Sequence, residues 1–295
     1  AGGACPVPSR QGMELPGGVL LVMPAALPEP PALGAKLVTF FQGNRERGLP
    51  ALHASYVLLD LETGAPLALM EAGFLTGIRT GAASALAARF LARPDSRNVA
   101  CFGAGVQASF QLRCLATVLA VERVSVVGRT PEKARVFAEA MASELRTQVV
   151  VAASPRQALS EADLVTCATT SPTPVFDGKD LRPGSHVDAV GAFRPETREV
   201  DTETVKRARV TVDSYAGALA EAGDLLIPME EGAITRAHLA AELAELVTGA
   251  RPGRRSREEI TLFKSVGFAL EDAAAARLAY DAAKGAGAGV EVELG

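Results

Sequence analysis

The residues with the clearest chemical potential lie between a short apolar run and a helix-like segment. The run that ends at Phe102 is followed by Gly103, Gly105 and Ala108 in the spacing G-x-G-x-x-A. In a strand–turn–helix unit the first glycine permits a tight turn, the second lets the backbone approach a pyrophosphate, and the alanine keeps helix and strand close. Helix N-termini also favour negative charge. The pattern predicts a dinucleotide-binding turn; the alternative is an ordinary glycine-rich βα turn.

The end of the next apolar run bears on which dinucleotide binds. NAD-binding folds of this kind place an acidic residue near the end of the second strand, where it binds the ribose hydroxyls. Here that position reads Gly128-Arg129-Thr130, with Lys133 one turn later. An arginine can pair with the 2′-phosphate of NADP through two charge-assisted hydrogen bonds. The sequence therefore predicts NADP(H); the alternative is a surface arginine at a strand end.

Three further charged residues lie in or beside apolar segments. Lys36 opens an otherwise apolar strand-like run, where it is either paired or reaches solvent at the strand end. Arg79 falls on an otherwise apolar helical stripe, so it either extends to solvent at the rim or is paired in a cleft. Asp224 follows Ala222-Gly223, a helix C-terminal signal, which suits a plain loop or N-cap aspartate. Pattern alone leaves these alternatives open.

Length and composition indicate a globular chain with room for two domains. It has 295 residues, of which 48% are hydrophobic and 22% charged. The net charge of −4 argues against a nucleic-acid partner, because phosphate binding needs a basic surface. No uncharged apolar run approaches the ~20 residues of a bilayer span. We expect a cytoplasmic protein without a membrane partner, and the cysteines of predicted elements (Cys101, Cys114, Cys167) to be buried free thiols.

Periodicity divides the chain near Pro94. Strands are predicted before it over 35–41, 54–61 and 66–70, and a helix over 76–92. Strand-like and helix-like segments alternate after it, which requires a parallel sheet with crossover helices. A last long helix is predicted over 265–283, with Glu271 and Asp272 on an exposed face.

Several segments match the motifs of one known family in order. They are AKLVTFF, IRTGAASALA, FGAGVQA, VGRT, DAVGAFRPETREVD, AEAGDLL and FKSVGFALEDAAAARLAY. Over nearly its whole length the chain thereby resembles the ornithine cyclodeaminase/mu-crystallin family, and most closely its mu-crystallin, or ketimine reductase, branch.

The resemblance implies an α/β fold and a set of site residues. A Rossmann NADP-binding domain over 95–263 would be inserted in a smaller α+β substrate and dimerisation domain formed by 1–94 and 264–295, in a homodimer. Arg10, Lys36 and Arg79 would bind the substrate, and Lys36, Arg79 and Asp224 would be catalytic, Asp224 as the acid that faces the reacting nitrogen. Cofactor contacts would fall on Gly105, Val106, Gln107, Arg129, Thr130, Thr169, Val190 and Ser265, with His53 beside the nicotinamide.

The residues and the resemblance together predict an NADPH-dependent reductase of small imino acids or cyclic ketimines, which in reverse is an amino-acid dehydrogenase. The protein would position the substrate and supply preorganised charge, while the hydride chemistry belongs to the cofactor. One rival is a cyclodeaminase, a lyase that recycles NAD. Family cyclodeaminases carry a glutamate before the pair matching Met23-Pro24, where this chain reads VLLV. The other rival is an NADPH-gated small-molecule binding protein of mu-crystallin type.

Overall fold

The computed structural model describes residues 7, 8 and 10–293, which leaves the cysteine at position 5 outside. Two compact units are found. The outer unit comprises the described parts of Ala1–Arg79 and Phe268–Gly295, and the Rossmann unit comprises Thr80–Gly267. Cys101, Cys114 and Cys167 are buried and free, which confirms that prediction. No helix among the described residues could cross a membrane, and a cytoplasmic location stays a prediction.

The α-helices occur in both units and run in chain order. They are α1 (Ala72–Leu91), α2 (Val106–Val118), α3 (Pro131–Leu145), α4 (Pro155–Leu159), α5 (Thr202–Arg207), α6 (Tyr215–Glu221), α7 (Gly223–Glu230), α8 (Leu243–Val247) and α9 (Ala269–Gly285). Helix α1 begins where the Glu71 carboxylate accepts hydrogen bonds from the backbone N–H groups of Gly73 and Phe74. Its alanine-rich sequence then favours an uninterrupted helix.

The boundary between the units differs from the expected division near residue 94. The second half of α1 packs through Ala83, Ala87 and Leu91 against Leu246 and Phe263 of the Rossmann unit. The helix therefore contributes to that unit's core well before Pro94.

The outer unit is built on an antiparallel sheet. Its described strands, in spatial order, are β1 (Gln11–Leu15), β2 (Gly18–Leu27), β3 (Ala32–Phe41), β4 (Leu52–Leu59) and β5 (Pro66–Glu71). On one face, Met23, Val38 and Tyr56 pack beneath α9, which presents a stripe of small alanines that includes Ala273. Because Met23, Lys36 and Tyr56 are cross-strand partners, the register places Lys36 on this same covered face.

The opposite face of that sheet, which we call the outer sheet face, carries exposed apolar side chains among polar ones such as His53 and Glu71. The register places Leu37 and Leu69 on this face together with Met13. The exposed fractions of these residues are 40% for Leu37, 76% for Leu69 and 57% for Met13. Several large apolar side chains exposed on one face favour an interaction site there.

The Rossmann unit holds a parallel sheet, as the alternating pattern predicts. Its described strands, in spatial order, are β12 (Leu239–Glu242), β11 (Ala208–Val212), β13 (Ile260–Lys264), β10 (His186–Ala189), β9 (Leu164–Cys167), β6 (Asn98–Phe102), β7 (Arg123–Val127) and β8 (Gln148–Val151). Strand β13, which the sequence did not predict, lies between β10 and β11 and is wholly buried. The unit therefore extends beyond residue 263, because β13 ends at Lys264.

The strand order places a switch point between β6 and β9. From β6 the chain adds β7 and β8 on one side, and then returns to add β9 and β10 on the other. In open α/β sheets, ligands bind outside the carboxyl ends of the strands at such a point. Gly103 immediately follows β6 there with φ +117°, and an added Cβ would lie 2.5 Å from the carbonyl oxygen of Ala168.

Replacing Gly103 by alanine should lower the free energy of unfolding by roughly 2 kcal/mol or more, through backbone strain and overpacking against a buried carbonyl. The matched control is Gly105→Ala, since nothing lies within 4 Å of its added Cβ. We expect Gly105→Ala to lower the free energy of unfolding by about 1 kcal/mol or less. Urea unfolding of both variants measures the difference, and equal losses would contradict the packing described for Gly103.

Candidate functional site

A buried ion-pair cluster joins the two chain ends in the outer unit. Lys36 Nζ lies 2.8 and 2.7 Å from the two carboxylate oxygens of Asp272 on α9. Arg79 Nε lies 3.0 Å from Asp272 Oδ1, and Arg79 Nη1 donates to Glu271 Oε2 at 2.9 Å. The side chains of Lys36, Arg79 and Asp272 are 2%, 8% and 0% exposed. One carboxylate thus holds two predicted substrate groups together.

The cluster corrects one expectation from the sequence. It also decides between the two alternatives for Lys36 and between the two for Arg79. Asp272 was expected on an exposed face of the last helix, but it lies on the buried alanine stripe of α9. Glu271 beside it is half-buried and contacts Arg79. Lys36 does not reach solvent at its strand end, and Arg79 is paired rather than extended at a rim. The missed signal was an acid on a stripe that otherwise reads as small apolar residues.

Positive charge exceeds negative charge in this cluster. Arg10, the third predicted substrate group, lies close enough to influence Lys36. Burial, Arg79 and Arg10 lower the pKa of Lys36 from 10.5 to about 8, although Asp272 opposes them. Arg10, Lys36 and Arg79 carry three positive charges, and Asp272 and Glu271 carry two negative charges. The formal sum is +1, which suits a monocarboxylate ligand.

The glycine turn of the Rossmann unit fits a dinucleotide pyrophosphate. Gly105 is the N-cap of α2, has an extended backbone and supplies no side-chain cap to the first turn. Because open space surrounds it, a phosphate can approach the helix N-terminus directly. Val106 and Gln107, the other predicted contacts, form the first positions of the same helix.

The predicted 2′-phosphate residues lie together at the end of β7. Arg129 and Thr130 are exposed, and Thr130 is the N-cap of α3 without a side-chain cap hydrogen bond. Lys133 is exposed in the first turn of α3. Glu132, the next acid along the chain, is held by Arg135. The arrangement presents cationic side chains beside a helix N-terminus, which suits a phosphate.

The remaining predicted cofactor contacts follow other strands of the same sheet. Thr169 comes just after β9, Val190 just after β10 and Ser265 just after β13. The backbone N–H of Val190 donates to Cys167, and the Ser265 hydroxyl donates to Asp213 at 2.8 Å. All three therefore lie at the carboxyl edge of the sheet, as a Rossmann ligand requires.

His53, the contact predicted beside the nicotinamide, lies in the outer unit. It is exposed on β4 and lines a cavity of about 520 Å³ together with Leu52, Ser55 and Leu69. This role of His53 stays a prediction.

Asp224 is engaged inside the Rossmann unit. It is 0% exposed in the first turn of α7, and its Oδ1 accepts hydrogen bonds from the backbone N–H groups of Glu199 and Val200 at 2.6 and 2.9 Å. Its Oδ2 forms a 2.7 Å ion pair with Lys264. Asp224 is therefore neither a loop residue nor the N-cap of α7, which is Ala222, but a buried carboxylate that fixes backbone groups of another segment. Its catalytic role stays a prediction. Neither Glu199 nor Lys264 was singled out in the sequence, although a lysine ending the apolar strand ITLFK was a usable signal.

Comparison with known proteins adds to this geometry. The sequence model of the ornithine cyclodeaminase/mu-crystallin family matches residues 3–287. The chain belongs to this family. The family predicted from the sequence motifs is thereby confirmed. The ketimine reductase mu-crystallin of Rattus norvegicus is 39% identical over 264 residues, which cover 90% of this chain and 80% of the rat protein.

Two solved structures of family-like proteins superimpose closely. The Δ1-pyrroline-2-carboxylate reductase of Thermococcus litoralis, in complex with NADH and L-proline, gives a TM-score of 0.95 at 44% identity. The match covers 98% of this chain and 90% of that one. An archaeal alanine dehydrogenase dimer with bound NAD gives 0.93 at 33% identity, covering 99% and 89% of the two chains.

Replacing Asp272 by asparagine should lower the free energy of unfolding by about 3–5 kcal/mol, because two buried cations lose their shared counter-ion. Asp281→Asn on the same helix is the control. Asp281 pairs with Arg277 at 2.9 Å but is half exposed, so its loss should cost about 0.5 kcal/mol or less. Denaturant unfolding at neutral pH compares the two, and a small effect for Asp272 would contradict its central place.

Proposed function

We propose that this protein is a nicotinamide-dependent reductase of small imino acids or cyclic ketimines. The observation that carries the proposal is the cluster in which Asp272 and Glu271 hold Lys36 and Arg79, with Arg10 close to Lys36. The formal charges of these five groups sum to +1, which suits a carboxylate ligand. The family relatives support the chemistry, since they include a pyrroline-2-carboxylate reductase bound to L-proline and a ketimine reductase. A five- or six-membered cyclic imine with an adjacent carboxylate is the proposed substrate class.

In the proposed reaction the imine carbon accepts a hydride and gains a new C–H bond. A nicotinamide cofactor held by Gly105, Val106 and Arg129 would supply that hydride. The π electrons of the C=N bond move to nitrogen, which takes a proton, and the product is a cyclic amino acid. Arg79 and Arg10 hold the carboxylate, and this positioning is the main contribution of the protein. The same residues serve the reverse reaction, an amino-acid dehydrogenation.

Lys36 is the proposed proton donor. Its pKa of about 8 lies close to neutral pH, so the ammonium form predominates at pH 7 and gives up a proton readily. A general acid works best when its pKa is near the working pH. Asp272 keeps Lys36 oriented, since it contacts Nζ with both oxygens.

The proposed cofactor is NADPH rather than NADH. The Thermococcus and alanine dehydrogenase structures contain NADH and NAD, neither of which carries a 2′-phosphate. The support for NADPH is local to this chain: exposed Arg129 and Lys133 flank Thr130 at the end of β7, and no acid stands at that strand end. An acid there would repel the 2′-phosphate.

A substrate panel tests the function. The protein is mixed with NADPH and Δ1-pyrroline-2-carboxylate, Δ1-piperideine-2-carboxylate or a diamino acid, and both the nicotinamide absorbance and free ammonia are followed. Stoichiometric NADPH oxidation with the ketimines supports a reductase. Ammonia release from a diamino acid without net oxidation would assign a cyclodeaminase, and binding without turnover would assign a binding protein.

Replacing Arg79 by alanine should reduce kcat/KM a hundredfold or more, because a desolvated carboxylate loses its partner. This corresponds to a loss of about 3–5 kcal/mol in transition-state stabilisation. The dissociation constant of NADPH should change much less. Arg89→Ala, at an exposed position of the same helix, is the control and should leave turnover unchanged. Turnover of Arg79→Ala within a few-fold of wild type would show that Arg79 does not hold the substrate.

Replacing Arg129 by aspartate should invert the cofactor preference. Hydrogen bonds to charged groups contribute ~1.5–3 kcal/mol each, so wild type should prefer NADPH over NADH by about ten- to a thousandfold. The variant removes the pair and adds repulsion. Dissociation constants of both cofactors are compared at one ionic strength, with Arg135→Asp on α3 as a control of equal charge change. Equal affinities in wild type would overturn the NADPH assignment.

We further propose a two-fold dimer through the outer sheet face. Leu37, Leu69 and Met13 are exposed there, while the other face of the sheet is already covered by α9. A two-fold contact brings the same patch of both copies together. The alanine dehydrogenase relative is itself a dimer.

Light scattering should give the dimer mass at micromolar concentration, and the double variant Leu37→Glu, Leu69→Glu should give the monomer mass. Charged groups at the centre of an apolar interface remain desolvated and unpaired, which opposes association. Leu278→Glu is the control, since Leu278 is 72% exposed on α9, away from that sheet face. A wild-type monomer, or a double variant that stays dimeric, would contradict this interface.

A further inference from the structure

Glu199 ties together the residues that follow two neighbouring strands. Its Oε1 accepts hydrogen bonds from the backbone N–H and the hydroxyl of Thr169, just after β9, at 2.6 and 2.7 Å. Its Oε2 accepts from the backbone N–H groups of Gly191 and Ala192, just after β10, at 2.6 and 3.3 Å. Gly191 is packed so tightly there that an added Cβ would lie 2.3 Å from the Thr169 carbonyl oxygen.

Glu199 belongs to a buried group of three charges, which we call the Glu199 cluster: Glu199, Asp224 and Lys264. Asp224 accepts from the backbone N–H of Glu199 and pairs with Lys264, while Lys264 Nζ also donates to the carbonyl oxygen of Ala192 at 2.5 Å. All three side chains are 0% exposed. Two carboxylates therefore share one ammonium group away from water.

The hydrogen bonds favour the ionised form of Glu199. Three of its four contacts are backbone N–H groups, which can only donate, so both oxygens act as acceptors. Burial raises the pKa of Glu199 above its usual value and Asp224 adds to the rise, whereas Lys264 and the hydrogen bonds of Thr169 oppose it. With all three groups ionised, the formal charge of the cluster is −1. The adjacent Cys167 thiol adds no charge, because burial raises its pKa well above the usual value.

The negative charge of the Glu199 cluster lies on the side of the sheet toward which the nicotinamide half of a dinucleotide would extend. The glycine turn for the pyrophosphate follows β6, and Arg129, for the adenosine end, follows β7 on one side of it. The nicotinamide half of a dinucleotide must then extend to the other side, over the carboxyl ends of β9 and β10. Those are the two strand ends that Glu199 joins.

We propose that the Glu199 cluster places a net negative charge beside the nicotinamide half of the cofactor and thereby stabilises the oxidised, cationic ring over the neutral, reduced ring. This inference rests on the proposed function. Loss of a hydride leaves the nicotinamide ring with a positive charge, so a fixed negative charge favours hydride donation to the imine. Glu199 and Lys264 act as positioning residues, through the strand ends and the local field.

The test measures cofactor binding without substrate. Dissociation constants of NADP⁺ and NADPH are determined by calorimetry or fluorescence for wild type, Glu199→Gln and Lys264→Met. Glu199→Gln should raise the ratio of the oxidised to the reduced dissociation constant by roughly three- to tenfold, the size expected when a partly screened unit charge is removed. Lys264→Met removes the positive charge, so its ratio should stay at or below the wild-type value.

The different responses of Glu199→Gln and Lys264→Met separate an electrostatic role from a structural one. A rise of the ratio in both variants, or no change in Glu199→Gln, would overturn the inference. Asp201→Asn is the matched control, because Asp201 is a carboxylate near Glu199 that also accepts several hydrogen bonds, from Thr204 and Gly178, but has no cationic partner among the described residues.

Two further measurements complete the test. Asp224→Asn removes the other negative charge and should move the ratio as Glu199→Gln does, which covers the case in which the latter does not fold. If wild type binds neither cofactor, the proposed function fails as well. If it binds both and the ratio is insensitive to Glu199 and Asp224, only the present inference fails.

Discussion

The outer unit depends on one buried carboxylate. Asp272, near the end of the chain, pairs with Lys36 from the third strand and with Arg79 from the first helix. Removing any one of these charges from its partners would leave an uncompensated ion away from water, which is strongly unfavourable. The pairing therefore explains why this unit is assembled from both chain ends. It also fixes, before any substrate binds, the cations that we assign to a carboxylate ligand.

Charge is arranged differently in the two units, and each arrangement matches one partner of the proposed reaction. The Lys36–Asp272 cluster carries a formal excess of positive charge, which complements the carboxylate of an imino acid. The Glu199 cluster carries a formal excess of negative charge, which complements a nicotinamide cation. Because both clusters are buried, their fields are weakly screened by solvent and salt. Preorganised charge of this kind needs little reorganisation during the reaction.

Much of the Rossmann unit could be predicted from local pattern. The turn at Gly103, the following helix and the alternating strands each carry their signal within a few residues, and the parallel sheet is as expected. Strand β13 could not be predicted in the same way, because a short apolar run after a basic loop does not show that it fills a gap between β10 and β11. Asp272 was misplaced for a related reason: its partners lie more than 190 residues away along the chain. The residues Arg10, Lys36 and Arg79 were predicted through the family motifs, whereas no local pattern identified the carboxylates that hold Lys36 and Arg79.

The most direct test of the account follows the transferred hydrogen. The protein is supplied with Δ1-pyrroline-2-carboxylate and NADPH that carries deuterium at both C4 positions of the dihydronicotinamide, and the product is examined by mass spectrometry and NMR. The account predicts proline with one deuterium on its α-carbon and an equal amount of NADP⁺. A cyclic amino acid without deuterium, or no consumption of the ketimine while the cofactor remains bound, would contradict it.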